Sequence, residues 1–312
     1  MVSAADVRAA AARIAPHLLR TPVLRSEGLG FALKLECRQV TGSFKARGAL
    51  NKMLTMPPEE RARGIVAASA GNHALGVAHA CKVIGGGTRA TVFVQGNASR
   101  AKIVKLSRYP VDVRLVGQTF EEAQAEAMKW AQETGATFVS AYDDPDVLAG
   151  QGTVGLEIAE DFPDADVVVV PTGGGALLGG IALAIREKHP RTRVVGVNPE
   201  ASPSARESLA AGRALDPYHH GPTLALGLAG GFGKLGFEIA KEFVDEVVLV
   251  SEEEMARATA ALIDAEQIIA EPSGIAAVAA ILAEKVRGAR AVAVISGGNI
   301  DAATLRDVLA AA

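Results

Sequence analysis

Lys45 stands in the run Thr41-Gly42-Ser43-Phe44-Lys45-Ala46-Arg47-Gly48, after an apolar stretch that ends in Lys34-Leu35-Glu36. A lysine in the first turn of a helix meets the positive end of the macrodipole. That field, with partial burial, lowers the amine's pKa and makes a nucleophile of a cation. Taken alone, the position also suits a solvated helix lysine. Three further runs share the strand, loop, helix character. Ser69-Ala70-Gly71-Asn72-His73 follows Ile65–Ala68. It exposes backbone N–H groups at a helix start, either an anion site or an ordinary capped end. Pro171-Thr172-Gly173-Gly174-Gly175-Ala176 follows Val167–Val170. Successive glycines let N–H groups fold around an anion of phosphate size, a plain flexible turn being the alternative. Ser296-Gly297-Gly298-Asn299 follows Ala291–Ile295 and brings a hydroxyl that can donate or accept; a helix-opening turn would also explain it.

Other chemistries lack their residues. From Gly173 the glycines read G-x-G-x-x-x-G, one residue longer than a dinucleotide fingerprint, and no Gly-Lys-Ser/Thr follows as in a phosphate loop of the Walker type. A serine-hydrolase elbow needs glycine where Ala67 stands. The six histidines form no H-E-x-x-H, and Cys37 and Cys81 are too few for a disulfide framework or a four-thiolate metal site.

Elements able to hold these loops alternate along the chain. Strand-length apolar runs lie at 31–36, 65–68, 90–94, 111–116, 137–139, 167–170, 193–197, 246–250 and 291–295. Helical patterns lie between them at 44–54, 72–83, 120–133, 147–160, 177–188, 252–266 and 274–286. Ser3 and Asp6 have the spacing of a capping box for a first helix. Such alternation predicts an α/β fold with mainly parallel sheets covered by helices on both faces. Ligands of open α/β sheets sit at the carboxyl ends of the strands, where all four loops lie.

Composition narrows the function classes. A net charge of −3 over 312 residues gives no electrostatic handle on nucleic acid or anionic lipid. The longest apolar stretches, 167–170 and 176–185, fall short of the roughly 20 residues that span a bilayer. Charges near the start disfavour a signal peptide, so the expected location is the cytoplasm.

Together and in order, Gly-Ser-Phe-Lys-x-Arg-Gly, Ser-Ala-Gly-Asn-His-Ala, Gly150-Gln151-Gly152-Thr153, Pro-Thr-Gly-Gly-Gly, Glu271-Pro272-Ser273-Gly274 and Ser-Gly-Gly-Asn are far more specific than any one of them. The set resembles the fold-type-II pyridoxal-phosphate enzymes, in particular the branch of threonine/serine dehydratases and serine racemases. The resemblance implies a two-lobed fold of the tryptophan synthase β type, with a large domain at 1–52 and 141–312 and a small domain inserted at 53–140. It implies pyridoxal 5′-phosphate as cofactor and Lys45 as the Schiff-base lysine and general base. Gly173, Gly174, Gly175, Ala176 and Leu177 would hold the phosphate, Asn72 the ring hydroxyl and Ser296 the ring nitrogen, with Phe44 beside the ring. Ser69, Gly71, Asn72 and His73 would receive the substrate carboxylate, and Gly227 and Glu271 would line the pocket. The implied partner is an amino acid, and the implied assembly a homodimer.

The implied reaction is dehydration and deamination of L-threonine or L-serine to a 2-oxo acid and ammonia. Departures from the family pattern leave room at the substrate. Ala70 stands where racemases of this branch place a serine, so racemisation is disfavoured. Leu226 and Leu75 replace polar residues of many relatives, which keeps bulkier substrates such as phenylserine or hydroxyaspartate in view. Asn198-Pro199, Ser202 and Ser204 stand where part of the family has cation-binding carboxylates, so no metal is expected. A non-catalytic ligand-binding relative is the third reading, disfavoured by the intact Lys45, Asn72, glycine-run and Ser296 set. The chain ends soon after Ser296, so the regulatory domain of some threonine dehydratases is not expected.

Overall fold

A computed structural model of the chain describes residues 2–96 and 100–312. In chain order the elements are α1 (Ala4–Ile14), β1 (Val23–Arg25), β2 (Ala32–Lys34), α2 (Lys45–Thr55), α3 (Pro58–Ala62), β3 (Ile65–Ala68), α4 (Asn72–Ile84), β4 (Ala90–Val94), α5 (Arg100–Leu106), β5 (Val111–Leu115), α6 (Phe120–Thr134) and β6 (Thr137–Phe138). They continue with α7 (Pro145–Asp161), β7 (Val167–Pro171), α8 (Ala176–Lys188), β8 (Arg193–Pro199), α9 (Ser204–Ala211), α10 (Lys234–Phe243), β9 (Glu246–Val250), α11 (Glu252–Glu266), α12 (Pro272–Leu282), β10 (Ala291–Val294) and α13 (Ala302–Ala310). The Ser3–Asp6 capping box opens α1 as expected.

The strands form two sheets. The larger runs β1-β2-β10-β7-β8-β9 and is parallel except for the β1–β2 pair; the smaller runs β5-β4-β3-β6 and is parallel throughout. The fold is therefore α/β, with the smaller sheet inserted in sequence between β2 and β7 of the larger. Period-2 alternation shows in the core. Val167, Val169, Val195, Val197 and Ala293 face α11 and α12, while Val168, Val170, Val194, Val292 and Val294 face α7 and α8. Burying both faces explains why β7 reads as an unbroken valine run. Each fully buried valine contributes about 1.5–3 kcal/mol.

The motif Gly150-Gln151-Gly152 is a packing device. A Cβ on Gly150 would lie 2.6 Å from the Cα of Gly48, and one on Gly180 would lie 2.5 Å from the amide nitrogen of Gly152. Backbone touches backbone at both crossings, so α7 holds α2 on one side and α8 on the other. These are the helices headed by Lys45 and by the glycine run.

A buried ionic quartet fixes α2 further. The Arg47 guanidinium meets Glu36 through Nε and Nη2, both at 2.8 Å, and Glu157 through Nη1 at 2.6 Å. Lys34 Nζ reaches Glu157 at 2.6 Å and the Thr21 carbonyl at 2.6 Å. Burial works against the charge on Arg47, but Glu36 and Glu157 outweigh it and keep the guanidinium cationic. Two cations and two carboxylates cancel, which is how charges survive in a core. Arg47→Met leaves two buried carboxylates facing one lysine, and the expected loss is about 3–5 kcal/mol of unfolding free energy. Urea unfolding of the apoprotein measures it; an unchanged midpoint would mean that the quartet does not hold the helix.

Candidate active site

The four loops converge. Phe44 N–H donates to the Ser296 carbonyl at 3.1 Å, Ser43 bridges Gly297, and Glu271 N–H donates to the Gly297 carbonyl at 3.1 Å. Lys45 is the first residue of α2; its Nζ donates to the Ala141 carbonyl at 2.7 Å and lies 5.1 Å from the centre of the Phe44 ring. Burial lowers its pKa from the usual lysine value to about 8. A sizeable neutral fraction at physiological pH follows, although the cause is desolvation rather than the helix field.

At the head of α4, Gly71 is the N-cap, and its N–H donates to Ser69 Oγ at 3.1 Å. The Asn72 amide is held at both ends: Nδ2 donates to Glu271 Oε1 at 2.5 Å, and Oδ1 accepts from Asn299 Nδ2 at 2.7 Å. The His73 imidazole turns away and bonds the Val139 carbonyl through Nε2 at 2.8 Å. Burial, with Lys45 nearby, pushes its pKa down to about 4, so the ring is neutral. His73 therefore offers an anion at this helix end its backbone N–H and not its ring.

At the head of α8, Gly175 takes φ +95°, a left-handed conformation that favours glycine. Its neighbours press closely. A Cβ on Gly174 would lie 2.2 Å from the Tyr142 ring, one on Gly173 3.0 Å from the Gly227 carbonyl, and one on Gly175 2.7 Å from Phe232. The first N–H groups of a helix have no acceptor within it, so this turn presents donors and a positive dipole end together. Ala176 and Leu177 begin the helix and are buried. Gly227 N–H donates to Ser273 Oγ at 2.8 Å, tying the 224–228 loop to the start of α12. The Ser296 hydroxyl is buried and makes one long bond, 3.5 Å, to the Ser273 carbonyl.

The family described as "Pyridoxal-phosphate dependent enzyme" matches residues 14–297. The chain belongs to that family. Among relatives of this pyridoxal-phosphate-dependent enzyme, the L-threonine ammonia-lyase of Thermotoga maritima is 48% identical over 271 residues, 86% of this chain and 67% of the relative. Two solved structures share the fold of the enzyme closely. The processed form of threonine deaminase isoform 2 from Solanum lycopersicum has TM-score 0.93 and 32% identity, with 99% of this chain and 86% of that one covered. Maize serine racemase has TM-score 0.91 and 31% identity, covering 99% and 97%.

Sequence reasoning missed two neighbours of the glycine run and of Asn72. Tyr142 lies against Gly174 and Gly233, and its hydroxyl donates to Asp216 Oδ2 at 3.0 Å. No motif flags it, because only folding brings segment 140–143 to the head of α8. Asn299 was visible as the last residue of Ser-Gly-Gly-Asn but had no assigned role. Asn198 is engaged in structure: its Oδ1 accepts from the amides of Ala205 and Arg206 at 3.1 and 3.2 Å, and its Nδ2 donates to the Thr172 carbonyl. No helix among the described residues is long and apolar enough to cross a membrane.

Proposed function

We propose that the enzyme removes water and ammonia from a 3-hydroxy amino acid, L-threonine or L-serine. The water is regained, and a 2-oxo acid and ammonia are the net products. The observation that carries this reading is Lys45, an amine lowered to about 8 that heads its helix among the other three loops. The relative at 48% identity, named L-threonine ammonia-lyase, supports the same substrate class.

The groups present fit pyridoxal phosphate: a glycine turn at a helix start, a buried hydroxyl, a fixed amide and a deprotonable amine. Bound there, the cofactor supplies an electron sink for the pair left at Cα when its proton departs. Lys45 would anchor the cofactor, and its free amine would take the Cα proton as general base. The Ala141 carbonyl accepts from Nζ and aims the amine. Backbone N–H groups of 173–177 would hold the phosphate at the positive end of α8. The head of α4, at Ser69, Gly71, Asn72 and His73, holds the substrate carboxylate by the same physics. Asn72 would hold the ring hydroxyl and Ser296 the ring nitrogen, with Phe44 beside the ring and Glu271 and Gly227 along the wall. We place the large domain at 1–52 and 141–312 and the small domain at 53–140, a division the two sheets support. A cytoplasmic homodimer is the matching assembly, and sedimentation of the purified protein tests it.

Racemisation is the second reading, favoured by the likeness to maize serine racemase. It requires an acid on the face of Cα opposite Lys45. Ala70 supplies only a methyl, which packs toward the apolar cluster of Ala74, Leu75 and Val92. With L-serine, pyruvate is expected to exceed D-serine greatly. Chiral chromatography beside a 2-oxo acid assay decides the matter: D-serine forming as fast as pyruvate overturns the ammonia-lyase reading. Leu224 and Leu226 closely precede Gly227 in the chain and are exposed, so the assay panel includes phenylserine and 3-hydroxyaspartate.

A further inference from the structure

Asn299 occupies a junction that the proposed chemistry does not use. Its Nδ2 donates to the Thr41 carbonyl at 2.8 Å and to Asn72 Oδ1 at 2.7 Å, while its Oδ1 accepts from Lys105 Nζ at 3.3 Å. A carbonyl can only accept and an ammonium can only donate. Thr41 and Lys105 therefore fix which end of the Asn299 amide points where. With the Asn299 nitrogen turned toward Asn72, the Asn72 oxygen must face it. The Asn72 nitrogen then faces Glu271, whose carboxylate accepts from it at 2.5 Å and holds the amide in the same sense, with one N–H left over. Reversing Asn299 would set oxygen against the Thr41 carbonyl and nitrogen against a lysine. The junction also spans the two sheets. Asn72 and Lys105 belong to helices of the smaller sheet, while Thr41 and Asn299 follow β2 and β10 of the larger. Space for the Asn299 amide exists because residue 42 is glycine: at φ +77°, a Cβ there would lie 2.8 Å from Asn299 Oδ1.

We infer that Asn299 is a positioning residue, fixing the Asn72 amide so that its N–H rather than its oxygen meets the cofactor's ring hydroxyl. The inference rests on the reading that Asn72 faces that hydroxyl. Asn299→Asp keeps the size of the side chain and the acceptor for Lys105, but removes both donors. The two N–H groups of Asn72 are then claimed by two carboxylates, Glu271 and residue 299, and none is left for the ring. Absorbance titration of the apoprotein with pyridoxal phosphate is expected to show affinity lowered about tenfold, the scale of one oriented hydrogen bond lost in a buried site. The visible band of the loaded protein is expected to move in wavelength. Asn299→Ala, which adds no charge, is the second variant should the aspartate chain not fold.

The double variant separates positioning from general support. In an Asn72→Ala background, Asn299→Ala should cost no further affinity, because the amide it positions is gone. Additive losses, or a single variant with wild-type affinity and band, overturn the inference. If Asn72→Ala alone leaves affinity and band untouched, the reading of Asn72 falls, and this inference with it.

Discussion

Lys45→Ala is expected to abolish 2-oxo acid formation, by more than about 10⁴-fold, since anchor and general base are lost together. The visible band should vanish as well. The fold should survive, because the lysine side chain contacts a pocket rather than a core. A depressed lysine pKa means that the folded protein disfavours the proton. The resulting stability cost is present below about pH 8 and fades as pH rises toward the ordinary lysine value. Removing the amine relieves that cost at pH 7, so the apoprotein of the variant should melt no more than a few degrees from wild type. The same pKa gives wild-type apoprotein a pH signature: capture of pyridoxal phosphate should accelerate as pH rises through about 8, as the amine becomes neutral. A variant turning over near the wild-type rate would show that Lys45 is not the anchor.

Ser296→Asp carries the second large expectation. The hydroxyl is buried, its bond to the Ser273 carbonyl is long, and the Phe44 amide donates to its own carbonyl. A serine can serve an uncharged ring nitrogen, whereas a carboxylate demands a protonated one. The substitution also sets a negative charge beside the Ser273 carbonyl oxygen. Elimination should slow on the order of 10²-fold, about 2.7 kcal/mol of barrier. Steady-state kinetics with L-serine and L-threonine measures it, and unchanged kcat would remove Ser296 from the ring nitrogen.

Much of this architecture is legible in the residues themselves. Strands β3, β4 and β9 and helix α11 lie where apolar period and caps put them, because Ser251 with Glu254 and the apolar runs are local signals. Helix α12 instead begins at Pro272 and ends at Leu282, against an expected 274–286. Proline at its first position marks the start, and no glycine marks the stop. Helix α10 escaped notice for a reason outside its own sequence: its N-cap is Gly233, and the Leu235 amide is satisfied by Asp143, 2.9 Å away but distant in the chain. Strand β1, three residues long, has no alternation to detect. The four loops of the site were legible as strand-to-helix turns rich in glycine, serine and asparagine. Tyr142, the Ala141 carbonyl and the Lys105–Asn299 contact were not, since each depends on segments far apart in sequence.

The order of the larger sheet has a consequence for how the molecule comes into being. Ala32 of β2 pairs with Val292 of β10, nearly the length of the chain away. During synthesis the smaller sheet, built from contiguous residues 65–138, can pair its strands as it emerges. β2 must wait for almost everything else before its parallel neighbour exists. Such non-local pairing raises contact order and slows folding, and it leaves an unpaired strand edge exposed in the interval. Catalytic competence should thus appear as a late event, with Lys45 joined to Ser296 only when β10 slots between β2 and β7.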